Sequence, residues 1–297
     1  MLIGTGVLWG TIGVASKGVF DHSQLDAVSV TWLRTLMASP ICILAVWFSG
    51  GKTLLRFPRK ALLVMIALGI ALILYQWLYL AALEQMGVSA TTLISLCGAP
   101  VIVAVLSALL MNERLNRPQL VALAGALLGT GLLIGRPPEV EGGNGTLGVL
   151  FALGCAFGIA IHAMGSRRIA ASVHPLVVLA VGFTVGAIAF APIVLARGLT
   201  IDADPTGWIL LIYLAVVPSS IAYLLYQRSL KDVPASMATI VTLLEPMVAA
   251  VLAWFFFDER LGWNGVLGGA LLLASIWILS TRAVKRNPVE LVVATEG

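Results

Sequence analysis

Runs of about 20 apolar residues follow one another along this chain, separated by short turns that hold most of its Pro, Asn, Asp, Lys and Arg. A helix rises ~1.5 Å per residue, so each run matches the ~30 Å hydrocarbon core of a bilayer. Ten runs are placed, at about 2–20, 27–48, 61–83, 88–111, 117–135, 146–166, 174–196, 207–228, 234–257 and 263–281. Of the 297 residues, 60% are hydrophobic and 11% charged. Soluble chains carry about 25% charged residues, so there is too little polar surface here to coat a globule. The predicted class is an all-α polytopic membrane protein solvated by lipid. The opening MLIGTGVLWG enters the first run at once, with no basic region or cleavage pattern before it, and reads as a membrane helix and not a signal peptide.

The turns set the orientation. Segments around 52–60, 114–117, 167–168, 228–231 and 282–286 carry thirteen of the Lys and Arg residues, and the alternate turns carry four. Cationic turns stay inside, so both termini are predicted to be cytoplasmic. The two halves of the chain repeat. Pro100 precedes Asn112-Glu113-Arg114-Leu115 as Pro246 precedes Asp258-Glu259-Arg260-Leu261, and Pro40 matches Pro192. Gly6-x3-Gly10 matches Gly154-x3-Gly158, and Tyr79 matches Tyr226. Five spans per half, an odd number, put the second copy in upside down. Inverted repeats mark carriers that alternate access around a central site. The expected units are 1–140, 141–286 and a disordered tail, 287–297, with a Pro/Gly linker over 136–145.

The pattern CGAP…NERL in the first half and LEP…DERL in the second, with TGVLWGTIGV at the start, resembles the EamA-domain family, the ten-helix members of the drug/metabolite transporter superfamily. The resemblance covers about residues 1–286. It implies a carrier of the cytoplasmic (inner) membrane, often an exporter of amino acids or related metabolites. Tyr75-Gln76-x-x-Tyr79 is similar to a pocket-lining stretch of the YddG-like aromatic amino-acid exporters. Cys97-Gly98-Ala99 departs from the bulky aromatics those exporters carry there, and this speaks against an aromatic substrate.

Glu245 is the one acid at mid-depth in any span. A charge at the midplane costs roughly 2.5–3.5 kcal/mol on insertion scales, so such a residue is a functional candidate by default. It either binds a substrate ammonium, carries a coupling proton, or bonds a neighbouring helix as a structural acid. Its repeat counterpart is Ala99, so the symmetry fails at this position. Pro246 and Pro100 each remove one helix hydrogen bond, and Pro246 frees the Thr242 carbonyl. Arg34, inside the second span, either snorkels outward or offers a fork of donors to a carboxylate. Tyr75, Gln76 and Tyr79 in the third span, and Tyr223, Tyr226 and Gln227 in the eighth, form two polar-aromatic faces. These read as gates on either side of a midplane site, or as interhelical glue. Trp9 lies well inside the first span, and His162 is a lone intramembrane histidine. Each either packs or lines a cavity.

The reading that follows is a secondary transporter of small metabolites, with membrane lipid and possible coupling protons as its other partners. The alternative is a channel or facilitator for small polar solutes. Other classes find little support. The net charge of +4 lies in turns and not in a patch with interleaved aromatics, which excludes a nucleic-acid partner. Cys42, Cys97 and Cys155 lack CxxC spacing, no HExxH occurs and the histidines are scattered, so no metal, no cofactor and no enzymatic activity are expected.

Overall fold

The structure, a computed structural model, describes residues 1–51, 54, 57–110, 115–134, 143–198, 202–257 and 263–283. The NERL and DERL turns (apart from Leu115), most of the 136–145 linker and the 287–297 tail lie outside these residues. The described chain is helical: α1 Leu2–Gly10, α2 Ile12–Asp21, α3 Ala27–Ser49, α4 Arg59–Leu110, α5 Arg117–Ile134, α6 Gly145–Ile169, α7 Pro175–Arg197 and α8 Pro205–Leu214. A π-helix, Ala215–Ala222, leads into α9 Tyr223–Ser229, and then come α10 Ala235–Thr242, α11 Leu244–Phe257 and α12 Trp263–Ala283. Among the described residues six helical runs are long and apolar enough to cross a membrane: Leu2–Asp21, Ala27–Ser49, Arg59–Ala82, Gly145–Ile169, Pro175–Arg197 and Pro205–Ser229. Shorter apolar helices cover Ile94–Leu110, Ala235–Ala249 and Trp263–Ile278. The outer surface of the bundle is apolar, with Phe48 84%, Leu109 75% and Leu63 69% exposed, as lipid contact requires.

Local chemistry starts the helices where the turns end. Asp26, Asn144 and Asp204 cap α3, α6 and α8, each accepting from the backbone N–H three residues on. Asn116 and Gln119 form a reciprocal capping box at the start of α5.

The sequence reading placed a turn between 83 and 88, yet helical backbone runs unbroken from Arg59 to Leu110. The chain nevertheless doubles back there. Leu68, Tyr75, Leu78 and Met86 lie against Gly165, Gly158, Gly154 and Gly148 of α6 in descending order. Ser95 then bonds the Ala152 carbonyl, and Gly98 meets Ala156, in ascending order. The reversal expected between 83 and 88 is therefore present, and the helical hydrogen-bond pattern is carried through it.

One span expected to be continuous is broken, and another is interrupted beside the proline expected to break it. The first gives way at Thr11, whose hydroxyl bonds the Leu8 carbonyl at 2.7 Å. The ninth gives way at Leu243, three residues before Pro246, whose missing N–H leaves the preceding turn unsupported. The eighth span contains the π-helix around Pro218. Pro40 and Pro192 sit within continuous helices, on exposed outer faces, and break nothing.

Glycines let the remaining helices close up. A Cβ on Gly129 would stand 2.7 Å from the Gly268 carbonyl, and one on Gly69 2.6 Å from that of Gly182. These contacts bring α5 onto α12 and α4 onto α7. Ser39 and Thr184 share a 2.6 Å hydrogen bond between α3 and α7.

Candidate functional site

The two broken helices meet. Gly10, just before the Thr11 break, faces α11 so closely that a Cβ there would stand 2.5 Å from Val248 Cβ and 2.9 Å from the Glu245 carbonyl. Next to this crossing lies a cavity of about 700 Å³. Its walls come from α1, α2, α3, both arms of α4, α6, α9, α10 and α11. Glu245, Arg34, Tyr75, Gln76, Tyr79, Tyr223, Tyr226, Trp9, His162 and Thr242 all line it, as does Pro100. Gln227 lies outside the lining and donates instead to the Ser166 hydroxyl at 2.9 Å. Pro246, Pro40 and Pro192 are also outside it.

One end of the cavity is aromatic. Trp9 stacks edge-on to Tyr223, with centroids 4.8 Å apart, and tilts against Tyr226 at 5.3 Å. The Tyr75 and Tyr223 hydroxyls are hydrogen-bonded to each other. His162 stands edge-on to both, at 5.9 and 6.2 Å. The two polar-aromatic faces read from the sequence as separate gates are therefore joined into one cluster across the halves of the chain. The Trp9 indole donates to the Pro218 carbonyl at 3.1 Å. The π-helix frees backbone carbonyls, and α1 supplies a donor to one of them.

The other walls are largely apolar, with a few polar groups set into them. Glu245 is half-buried on α11 and makes no ion pair with Arg34 among the described residues. Arg34 is 8% exposed on α3 and donates through Nη2 to Gln76 Oε1 on α4. Among the described residues, four buried polar atoms of lining residues have no partner: Thr31 Oγ1, Arg34 Nε, Gln76 Nε2 and His162 Nε2. Leaving such atoms unpaired costs about 1–3 kcal/mol each, more for a charged group. Their convergence on one cavity marks a place for a polar ligand. Thr31 and Pro218 were missed in the sequence. Thr31 had one signal, its position three residues before Arg34 on the same helix face. Ala99 lines the cavity, whereas Cys97 and Gly98 point elsewhere. Among the described residues no group of His, Cys, Asp and Glu is disposed to hold a metal ion.

Away from the cavity, the end of the bundle bearing Asp26 is tied by a cross-loop clasp. Ser23 pairs with Ala203 in a β-bridge, Gln24 N donates to the Asp202 carbonyl, and Asp204 N donates to that of His22. Asp204 Oδ2 lies 2.7 Å from His22 Nδ1. The Gly207 N–H, and after it the His22 ring, hold the Asp204 carboxyl below its usual range.

A family model described as the EamA-like transporter family matches residues 1–135 and again 146–281. An "uncharacterized transporter YwfM" of Bacillus subtilis is 27% identical over 95% of this chain and 93% of its own length. An "uncharacterized transporter" of Archaeoglobus fulgidus is 30% identical over 92% of each chain. An "uncharacterized inner membrane transporter YicL" of Salmonella typhimurium is 23% identical over 94% of each. A crystal structure described only as that of a protein superposes with a TM-score of 0.78 at 22% identity, covering 95% of this chain and 97% of its own. That likeness concerns the fold alone.

Proposed function

We propose that this chain, which belongs to the EamA-like transporter family, is a secondary transporter that moves a small zwitterion, an amino acid or related metabolite, by alternating access around the cavity at Glu245. Family membership makes it a multi-pass membrane transporter. The observation that carries the finer reading is that one cavity is lined by both Glu245 and Arg34. An ammonium and a carboxylate on one substrate match an acid on one wall and a guanidinium on another.

The rest of the proposal builds on this. Ten passes form two inverted five-helix units, 1–140 and 141–286, with both termini cytoplasmic. Support comes from the twofold family match, the cation asymmetry of the turns, and the packing of repeat-equivalent helices, α5 on α12 and α3 on α7. An inner-membrane location and outward transport are the arrangement that the resemblance and the YicL relative favour. Helices broken beside the cavity, at Thr11 and Leu243, are the hinges such a cycle needs. Protons are the candidate coupling ion, taken up and released at Glu245.

Counterflow in proteoliposomes tests the reading. A labelled amino acid outside should enter faster when unlabelled amino acid is loaded inside. Equal rates with and without internal substrate would point to a channel.

A further inference from the structure

We infer that Arg34, Gln76 and Thr31 form a carboxylate subsite, so that a free carboxylate is the group every ligand of this cavity must carry. The inference deepens the transporter reading and rests on it for the cavity's biological role.

Thr31 and Arg34 lie three residues apart on α3, on one helix face. Gln76 meets them from α4. Arg34 has only donors, so the amide oxygen of Gln76 must face it, and the amide NH₂ must point away. That fixes the hydrogen-bonding sense of the cluster. Arg34 Nε and Gln76 Nε2 are left as donors, and Thr31 Oγ1 as a hydroxyl, all without a partner among the described residues and all on residues that line the cavity. These residues are 8%, 6% and 1% exposed, so water does not satisfy them from bulk solvent. A set of donors around a single cation calls for a monoanionic acceptor. A planar carboxylate accepts from a guanidinium fork and has lone pairs to spare for an amide and a hydroxyl. A dianionic phosphate would carry one charge more than the cluster balances.

In this arrangement Gln76 is a positioning residue. It fixes the guanidinium through Nη2, leaves Nε to the ligand, and adds a donor of its own. Glu245, on α11, is left to the cationic end of the ligand.

The test separates binding from flux. Purified protein in detergent is titrated with L-alanine, L-serine, L-leucine and propionate, and in parallel with the matching primary amides, following thermal stabilisation and Trp fluorescence. The same acids and amides are then compared in counterflow. The wild type should respond to the acids at least about tenfold more strongly than to the amides, because the amides remove a charge-assisted contact. Arg34→Gln should erase that preference. Arg34→Lys should retain part of it, keeping the charge without the fork. Thr31→Val should lower the acid-to-amide ratio several-fold while unliganded stability stays near wild type, an outcome that a packing role alone does not give, whereas Gln76→Leu should lower the ratio and also the unliganded stability, because it strips Arg34 Nη2 of its acceptor. Equal responses to acids and amides in the wild type overturn the subsite, whether or not the protein transports. An acid-specific response without counterflow upholds the subsite and sinks the transport reading.

Discussion

The Tyr75 and Tyr223 hydroxyls each have the other as partner, at the aromatic end of the cavity. Both rings are nearly buried, at 9% and 4% exposure, so removing one hydroxyl strands the other. Tyr223→Phe is therefore expected to destabilise the protein by about 1–3 kcal/mol, and the double variant Tyr75→Phe/Tyr223→Phe by less. Unfolding of Tyr75→Phe, Tyr223→Phe and the double variant in detergent checks this non-additivity. Additive losses would show that the hydroxyls do not act as a pair. At this scale much of the site was legible. A lone acid, an intramembrane arginine and tyrosines at helical spacing stand out against an apolar background because each needs a reason to be there. Gln227 carried the same signal and yet serves Ser166, since spacing alone does not say which neighbour a polar group meets.

Among the elements, the crossing of α1 and α11 depends on the absence of a side chain at Gly10. Gly10→Ala would push a Cβ into Val248 and into backbone at Glu245, and overpacking of this kind costs about 1–3 kcal/mol. Gly13→Ala, one turn on, meets nothing within 4 Å and should leave stability unchanged. Thermal unfolding of the two variants separates them. The clasp between the 21–26 and 202–204 segments makes a second prediction. Asp204 has a folded pKa below its unfolded value, so its stabilising effect is present above the usual carboxylate range and fades as pH falls through the lowered value. The difference in melting temperature between wild type and Asp204→Ala should accordingly be present at neutral pH and shrink in strong acid. A pH-independent difference would remove the carboxylate from that account. The sequence revealed most of the apolar runs and, through Pro246, one of their interruptions, but not the others. Thr11 is no strong breaker, and its break is settled by bonds to Leu8 and Tyr213. The π-helix depends on Pro218 together with the Ser220 hydroxyl, which donates to the Ala215 carbonyl at 2.8 Å, a pairing five residues apart that helical periodicity does not announce.

For the whole molecule, the proposed inverted repeat gives two similar scaffolds with unlike centres. Where one half carries Ala99 in an unbroken helix, the other carries Glu245 just after a break, and both residues face the same cavity. A cycle that alternates access needs one site seen from both sides, and the acid at the position where the two halves differ is the candidate for it. The proposal makes Glu245 that site, binding the ligand's ammonium and exchanging a proton. Counterflow and proton flux in proteoliposomes containing wild-type protein and Glu245→Gln test this most directly. The account predicts pH-dependent exchange in the wild type and a loss of at least about tenfold in the variant, with its insertion and melting temperature retained. Exchange by Glu245→Gln at wild-type rates across the same pH range would contradict it.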